Sequence, residues 1–274
     1  MTDGVKESPF VYPEGLHLNL SKISSDTIIP CKVTVTGTLD GNKQPYKISI
    51  ADGATVTLRD ATIMGVSTST CKFAGLNCLG SAKIILEGKN KVVGFYSYYP
   101  GIFVPYDEEL TIEGDGELVT WSNGSGAGIG GGYKMDCGSI FINGGTIDAT
   151  GGYGAAAIGG GWNATCENIG ITQCVTQVKA TKAYPSASPY SVGPGDNGTF
   201  HASIIVGSDC FYPYLSGGYY RNPGIEDAVF IYPEPSGLED IQTNNIQGSK
   251  VLIDGQLYIK VNDHLYDAQG KEVR

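Results

Sequence analysis

Two stretches of the chain, "GAGIGGGY" at Gly126–Tyr133 and "AAAIGGGW" at Ala155–Trp162, nearly repeat each other. Read alone, Gly126, Gly128 and Gly131 satisfy G-x-G-x-x-G, the loop that cradles a dinucleotide pyrophosphate. That fingerprint needs a helix immediately after it and an acid about 20 residues on. The adjoining segment, "YKMDCGSIFINGGTIDATGG" (133–152), has internal glycine pairs and no helical apolar period. The glycines therefore mark a repeat rather than a phosphate site.

The spacing supports this. Tyr133 and Trp162 stand 29 residues apart, and so do Cys137 and Cys166, Ile140 and Ile169, and Ile142 and Ile171. Weaker copies run upstream: "TVTLRDATI" (55–63), "KIILEGKNKVV" (83–93) and "LTIEGDGELVT" (110–120) precede "SIFINGGTIDAT" (139–150) and "NIGITQCVTQVKAT" (168–181). Each is a short alternating strand, a polar or glycine turn and a second short strand. With Leu58, Leu86, Ile112, Ile142 and Ile171 as equivalents, the steps are 28, 26, 30 and 29 residues. A period in the twenties with β-branched pairs and glycine turns predicts an all-β parallel solenoid. Like side chains then stack from coil to coil, including Ile140 on Ile169, Ile142 on Ile171 and Cys137 on Cys166. In this reading "GAGIGGG" is a corner, with Ile129 and Ile158 as inward anchors.

Composition agrees. Charged residues make up 17% of the 274, against about 25% in an average chain, and there are 40 glycines and 17 tyrosines. The formal net charge of −10 excludes nucleic acid as a natural partner, because such binding needs clustered cations. It also disfavours an anionic membrane surface. No run of 18 apolar residues is present, so no helical membrane insertion is expected. The seven cysteines lack zinc-ligand spacing and read as small buried residues; Cys71 and Cys78 are near enough in sequence for a bridge to stay open. No metal or cofactor is expected.

The paired units in 124–165 resemble the glycine-rich, GAGIGGG-type repeats of large bacterial surface and secreted proteins, which have a pectin-lyase-like fold. The resemblance implies a right-handed parallel β-helix and a surface location more than it implies chemistry. The final segment, "KVLIDGQLYIKVNDHLYDAQGKEVR" (250–274), resembles the C-terminal β-module of exported proteins from Bacteroidetes-like bacteria. Its Leu257, Ile259 and Val261 alternate up to a turn at Asn262-Asp263. The resemblances together imply an exported chain whose leader has been removed, although the polar start "MTDGVKESPF" also fits a cytosolic protein. The expected organisation is an N-terminal cap (1–20), a parallel β-helix (21–231), a linker (232–250) and a C-terminal β-hairpin module (251–274).

Polygalacturonases, on the same fold, carry Gly-His-Gly and Arg-x-Lys motifs, and neither occurs here. A lyase would draw on Arg59, but Asp60 beside it is expected on the opposite face of a strand. Asp148 has Lys179, not an acid, one coil on. No paired-carboxylate site and no nucleophile elbow can be read. "EGDGE" (113–117) and "GPGDNGT" (193–199) read as turns rather than calcium loops.

The aromatics are the richer signal. Tyr133 and Trp162 occupy one position of successive coils and should stack; Trp121 and Tyr153 fall in neighbouring turns. Tyr98 and Tyr99 belong to "FYSYYPGIFVPY" (95–106), a Pro/Gly-rich cluster, and "FYPYLSGGYY" (211–220) is another. Flat rings with polar tips suit sugars. The candidate ligand residues are thus Tyr133, Trp162, Trp121, Tyr153, Tyr98 and Tyr99. The partner is a neutral polysaccharide or host glycan, since acidic ones are repelled by the net charge unless calcium bridges them. The function read from the sequence is a non-catalytic, adhesin-like or glycan-binding surface protein. A polysaccharide lyase or glycoside hydrolase is one alternative, and a structural spacer with buried aromatics is another.

Overall fold

In the computed structural model the chain winds as a three-sided parallel β-solenoid. The structure describes residues 15–234, apart from 200–202, 208, 212–213, 217–218 and 222–223. Beyond 234 it describes the strands Gly248–Ile253, Gln256–Val261, His264–Tyr266 and Glu272–Val273. The chain divides into two units, Met1–Pro233 and Glu234–Arg274.

The first face of the coil stacks Leu16–Asn19, the front of Val33–Asp40, the front of Thr55–Met64, Ala82–Glu87, Glu109–Gly114, Ser139–Ile142, Ile169–Ile171 and Ile204–Val206. The second stacks the back halves of the two long strands with Lys89–Val93, Glu117–Trp121, Thr146–Gly151 and Gln177–Lys182. A third sheet of seven strands is shorter: Thr27–Ile29, Ile48–Ile50, Leu76–Cys78, Ile102–Phe103, Ile129–Gly130, Ile158–Gly159 and Val192–Gly193. Helix is confined, among the described residues, to one 3₁₀ turn at Leu20–Lys22. No helix there is long and apolar enough to cross a membrane.

Alternation within each strand sends every second residue inward, and parallel register stacks like on like. On the first face one inward column runs Val33, Val56, Ile84, Ile112, Ile142, Ile171, Val206. Beside it run Ala82, Leu110, Ile140, Ile169 and Ile204. The third face contributes Leu76, Ile102, Ile129, Ile158 and Val192, and all are buried. Full burial of each such side chain contributes roughly 1.5–3 kcal/mol.

The predicted pairs Ile140/Ile169, Ile142/Ile171 and Cys137/Cys166 are in register. Upstream the equivalence shifts by two residues. Leu86 lies opposite Gly114, so Ile112 stacks on Ile84 and then Val56, with steps of 28, 28, 30 and 29 residues. The glycine runs are also more than corners, because Ile129–Gly130 and Ile158–Gly159 are themselves strands of the third sheet. Cys71, Cys78, Cys137 and Cys166 are buried free thiols, while Cys31 is half-buried and Cys174 exposed. Burial pushes the Cys78 thiol up to about 12, so it behaves as a small apolar group.

At its far end the solenoid changes direction on all three faces. Ile204–Val206 pairs antiparallel with Asp209–Phe211, Gln177–Lys182 with Val229–Tyr232, and Val192 with Ile225. A parallel stack left open would offer its edge to another chain, and reversed strands break that template. The second unit is a four-stranded antiparallel sheet rather than a lone hairpin, and its first strand starts at Gly248. The turn expected at Asn262-Asp263 joins Val261 to His264, which pair. Most of the expected linker, 235–247, lies outside the described residues, as do residues 1–14 of the expected cap.

Candidate functional site: an aromatic ladder on the narrow edge

The third face is narrow because its strands are two residues long where the glycine runs fall. The Ala127 N–H donates to the Gly131 carbonyl (2.9 Å), and one coil later Ala156 N–H donates to the Gly160 carbonyl (3.0 Å). These tight loops bring the outgoing and returning segments of neighbouring coils side by side. Tyr133 N–H donates to the Tyr98 carbonyl (2.7 Å), Trp162 N–H to the Ser125 carbonyl (3.0 Å), and Tyr153 N–H to the Gly124 carbonyl (2.6 Å).

The rings are thereby placed in sequence along the edge. Tyr98 lies 5.0 Å from Tyr133 between centroids, Tyr133 5.2 Å from Trp162, Trp162 5.3 Å from Tyr153, and Tyr153 5.6 Å from Tyr184. Tyr96 joins at 5.1 Å from Tyr98 and links to Tyr99 at 6.4 Å. The separations follow the coil-to-coil rise of about 4.8 Å. Planes tilted by 35° and 47° at the centre, and nearly perpendicular for Trp162 and Tyr153 (78°), are the arrangements that ring quadrupoles favour. Gly154 lets the indole lie against bare backbone, since a Cβ there would sit 2.7 Å from the ring.

Tyr98, Tyr153 and Tyr184 are about half exposed (45%, 46% and 51%), while Tyr96, Tyr99, Tyr133 and Trp162 are half-buried. The indole Nε1 of Trp162 is buried without a partner among the described residues. Among sequence neighbours of the ladder rings the one charged residue is Lys134, whose Nζ lies 5.2 Å from the Tyr133 centroid. Ser97, Asn163 and the adjoining Asn197, whose Nδ2 donates to Asn163 Oδ1 (3.0 Å), supply neutral polar groups.

Of the six residues picked from the sequence, five belong to the ladder. Trp121 does not. It ends a second-face strand, with Lys91 Nζ 4.8 Å from its ring and its Nε1 donating to Asn123 Oδ1 at 3.3 Å. Tyr96 and Tyr184 were missed, since they sit in loops whose lengths break the repeat. The side chains of the 211–220 cluster lie outside the described residues.

The residues weighed for catalysis are occupied with one another. Arg59 pairs with Glu87 one coil on, which stabilises its charged form further and makes it a poor base. Arg59 and Asp60 do not point to opposite faces as alternation predicts. Asp60 has φ +49°, which breaks the strand, and both side chains are exposed; Asp60 Oδ1 accepts from Lys89 N–H (2.9 Å). Asp148 is bound by Lys179 (3.1 Å). No group of three or more His, Cys, Asp or Glu side chains able to hold a metal ion occurs among the described residues.

One acid pair was not legible in the sequence. Glu167 and Asp107 share a hydrogen bond at the exit of the third face, with Ser139 Oγ donating to Glu167 at 3.5 Å. Burial first, and the Asp107 charge second, hold the Glu167 carboxyl above its ordinary value. Carboxyls in mutual contact leave no room for the scissile sugar bond that glycosidase acids flank at about 5–10 Å. The pair does predict a pH effect. A carboxyl raised in the folded state contributes stability below its unfolded value, lost as pH rises through the folded one. Glu167→Gln, which mimics the protonated form, is therefore expected to raise the urea midpoint at pH 7–8. The gain should shrink to nothing near pH 4, and unfolding curves at both pH values check it.

No family model matches the chain, and neither a curated protein nor a solved structure does. The class that the geometry defines is a three-sided parallel β-solenoid with a stacked aromatic edge.

Proposed function

We propose that the protein is a non-catalytic carbohydrate-binding solenoid of the cell surface or its surroundings, with a neutral polysaccharide or host glycan as partner. One observation carries this reading: a continuous line of rings, about half exposed at Tyr98, Tyr153 and Tyr184, flanked by neutral polar groups and one lysine. Apolar ring faces beside hydrogen-bonding groups are what sugar rings require, and a spacer would have no need to leave large aromatics in water. The surface location rests on the resemblance of the repeats and of the C-terminal segment to those of exported proteins.

The test is a glycan-array screen, with and without calcium, of the wild-type chain and Tyr133→Ala/Trp162→Ala. Binding to neutral glycans is expected in the wild type and at least tenfold weaker in the variant, equivalent to about 1.4 kcal/mol. Trp162→Phe keeps a ring and removes an unsatisfied N–H, so it should retain most of the affinity. Equal binding by the double variant, with its circular dichroism unchanged, or silence across the array, contradicts the reading.

A further inference from the structure

The loop that carries Tyr184 also encloses a cavity of about 250 Å³, lined by Lys182, Pro185, Ser186, Ser188, Asp196 and Glu226. It adjoins the last ring of the ladder: Pro185 follows Tyr184, and Asp196 N–H donates to the carbonyl of Gly154 (2.7 Å), the residue after Tyr153. Lys182 is more than nine-tenths buried (8% exposed). Its Nζ donates to the carbonyls of Pro189 (3.2 Å) and Glu226 (2.6 Å), and no ion pair engages it among the described residues. An ammonium group has three donors, so one remains for the cavity. Asp196 Oδ2 accepts from Asn197 Nδ2 (3.1 Å), which leaves its other oxygen to accept from a ligand.

From this lining we infer that the cavity is an end-site for one neutral, polyhydroxylated sugar ring, the terminal residue of a glycan whose next residues lie over Tyr184, Tyr153 and Trp162. The inference rests on the carbohydrate reading of the ladder. The signs of the lining select the ligand: two carboxylates repel an acidic sugar, and the buried ammonium repels a cationic one. A sugar's hydroxyls both donate, to Asp196 and Glu226, and accept, from Lys182. The volume falls below the 300–1,000 Å³ or so of sites for drug-sized ligands, which suits one ring and not a folded oligosaccharide.

The test uses the full chain, with saturation-transfer NMR and calorimetry. The probes are glucose, galactose, mannose and xylose, together with the β-1,4-linked hexasaccharides of glucose, mannose and xylose. Ser186→Trp fills the cavity from an exposed loop position and leaves the Lys182 hydrogen bonds in place; Asp196→Asn removes a charged acceptor. At least one monosaccharide is expected to bind weakly. Both variants should weaken that sugar and its hexasaccharide by tenfold or more. Tyr133→Ala/Trp162→Ala should keep the monosaccharide and lose the added affinity of the hexasaccharide. If Ser186→Trp binds both as the wild type does while the ladder variant loses the hexasaccharide, the end-site is overturned and the ladder reading stands. If no sugar binds, both fall.

Discussion

Gly159→Val is expected to destabilise the solenoid by about 3 kcal/mol or more, enough to leave much of the chain insoluble. Gly159 has φ +125°, a conformation open to glycine and costly, by roughly 1–3 kcal/mol, for an L side chain. A Cβ would also overlap the carbonyl oxygen of Gly193 in the next coil. That oxygen accepts the Gly160 N–H at 2.9 Å, so the overlap is with a backbone already committed to the ladder. No side-chain rotation relieves it, and the coils must part, losing about 1 kcal/mol for each hydrogen bond broken. Gly53→Ala is the control. Gly53 also has positive φ (+69°), but nothing lies within 4 Å of its added Cβ, so only the strain of about 1 kcal/mol remains. Urea midpoints for both variants check the difference; equal midpoints would show that the coils are not packed backbone on backbone at this edge.

The second large effect lies in the core. Ile142→Ala should cost about 3 kcal/mol, within the usual 2–5 for deleting a buried isoleucine, because Ile142 is fully buried between Ile112 and Ile171. Coils contact mainly their neighbours, so the loss should be local. Faster amide exchange is expected first in Glu109–Gly114 and Ile169–Ile171 and last in Val33–Asp40. Ile28→Ala, on a side chain 59% exposed, should stay within about 0.5 kcal/mol. Uniformly faster exchange throughout Met1–Pro233 would count against a one-dimensional stack.

Residues alone reveal the parts of this fold that repeat. The 29-residue spacing places Ile140 on Ile169 and Tyr133 near Trp162, because parallel register turns a period into a contact. Upstream the alternation hid an ambiguity: inward positions recur every two residues, so Leu86 looked equivalent to Ile112 when Ile84 is. The two-residue strands of the third face were hidden as well, since two residues carry no alternation to detect. Tyr96 and Tyr184 reach the ladder from loops of unequal length, and Asp107 meets Glu167 from a different coil, which no local spacing announces. Trp121 was drawn in by its nearness in sequence, while its place at the end of a second-face strand, beside Lys91, sets it apart.

The central claim, that the ladder is where a neutral glycan sits, can be read at one ring. The chain has two tryptophans, and Trp121 lies off the ladder, so Trp121→Phe leaves Trp162 as the sole indole reporter. Titrating this variant with the neutral oligosaccharides is expected to give a saturable shift of emission to shorter wavelength as a sugar ring excludes water from the edge. An emission spectrum that stays unchanged while calorimetry records binding would place the glycan elsewhere and contradict the account.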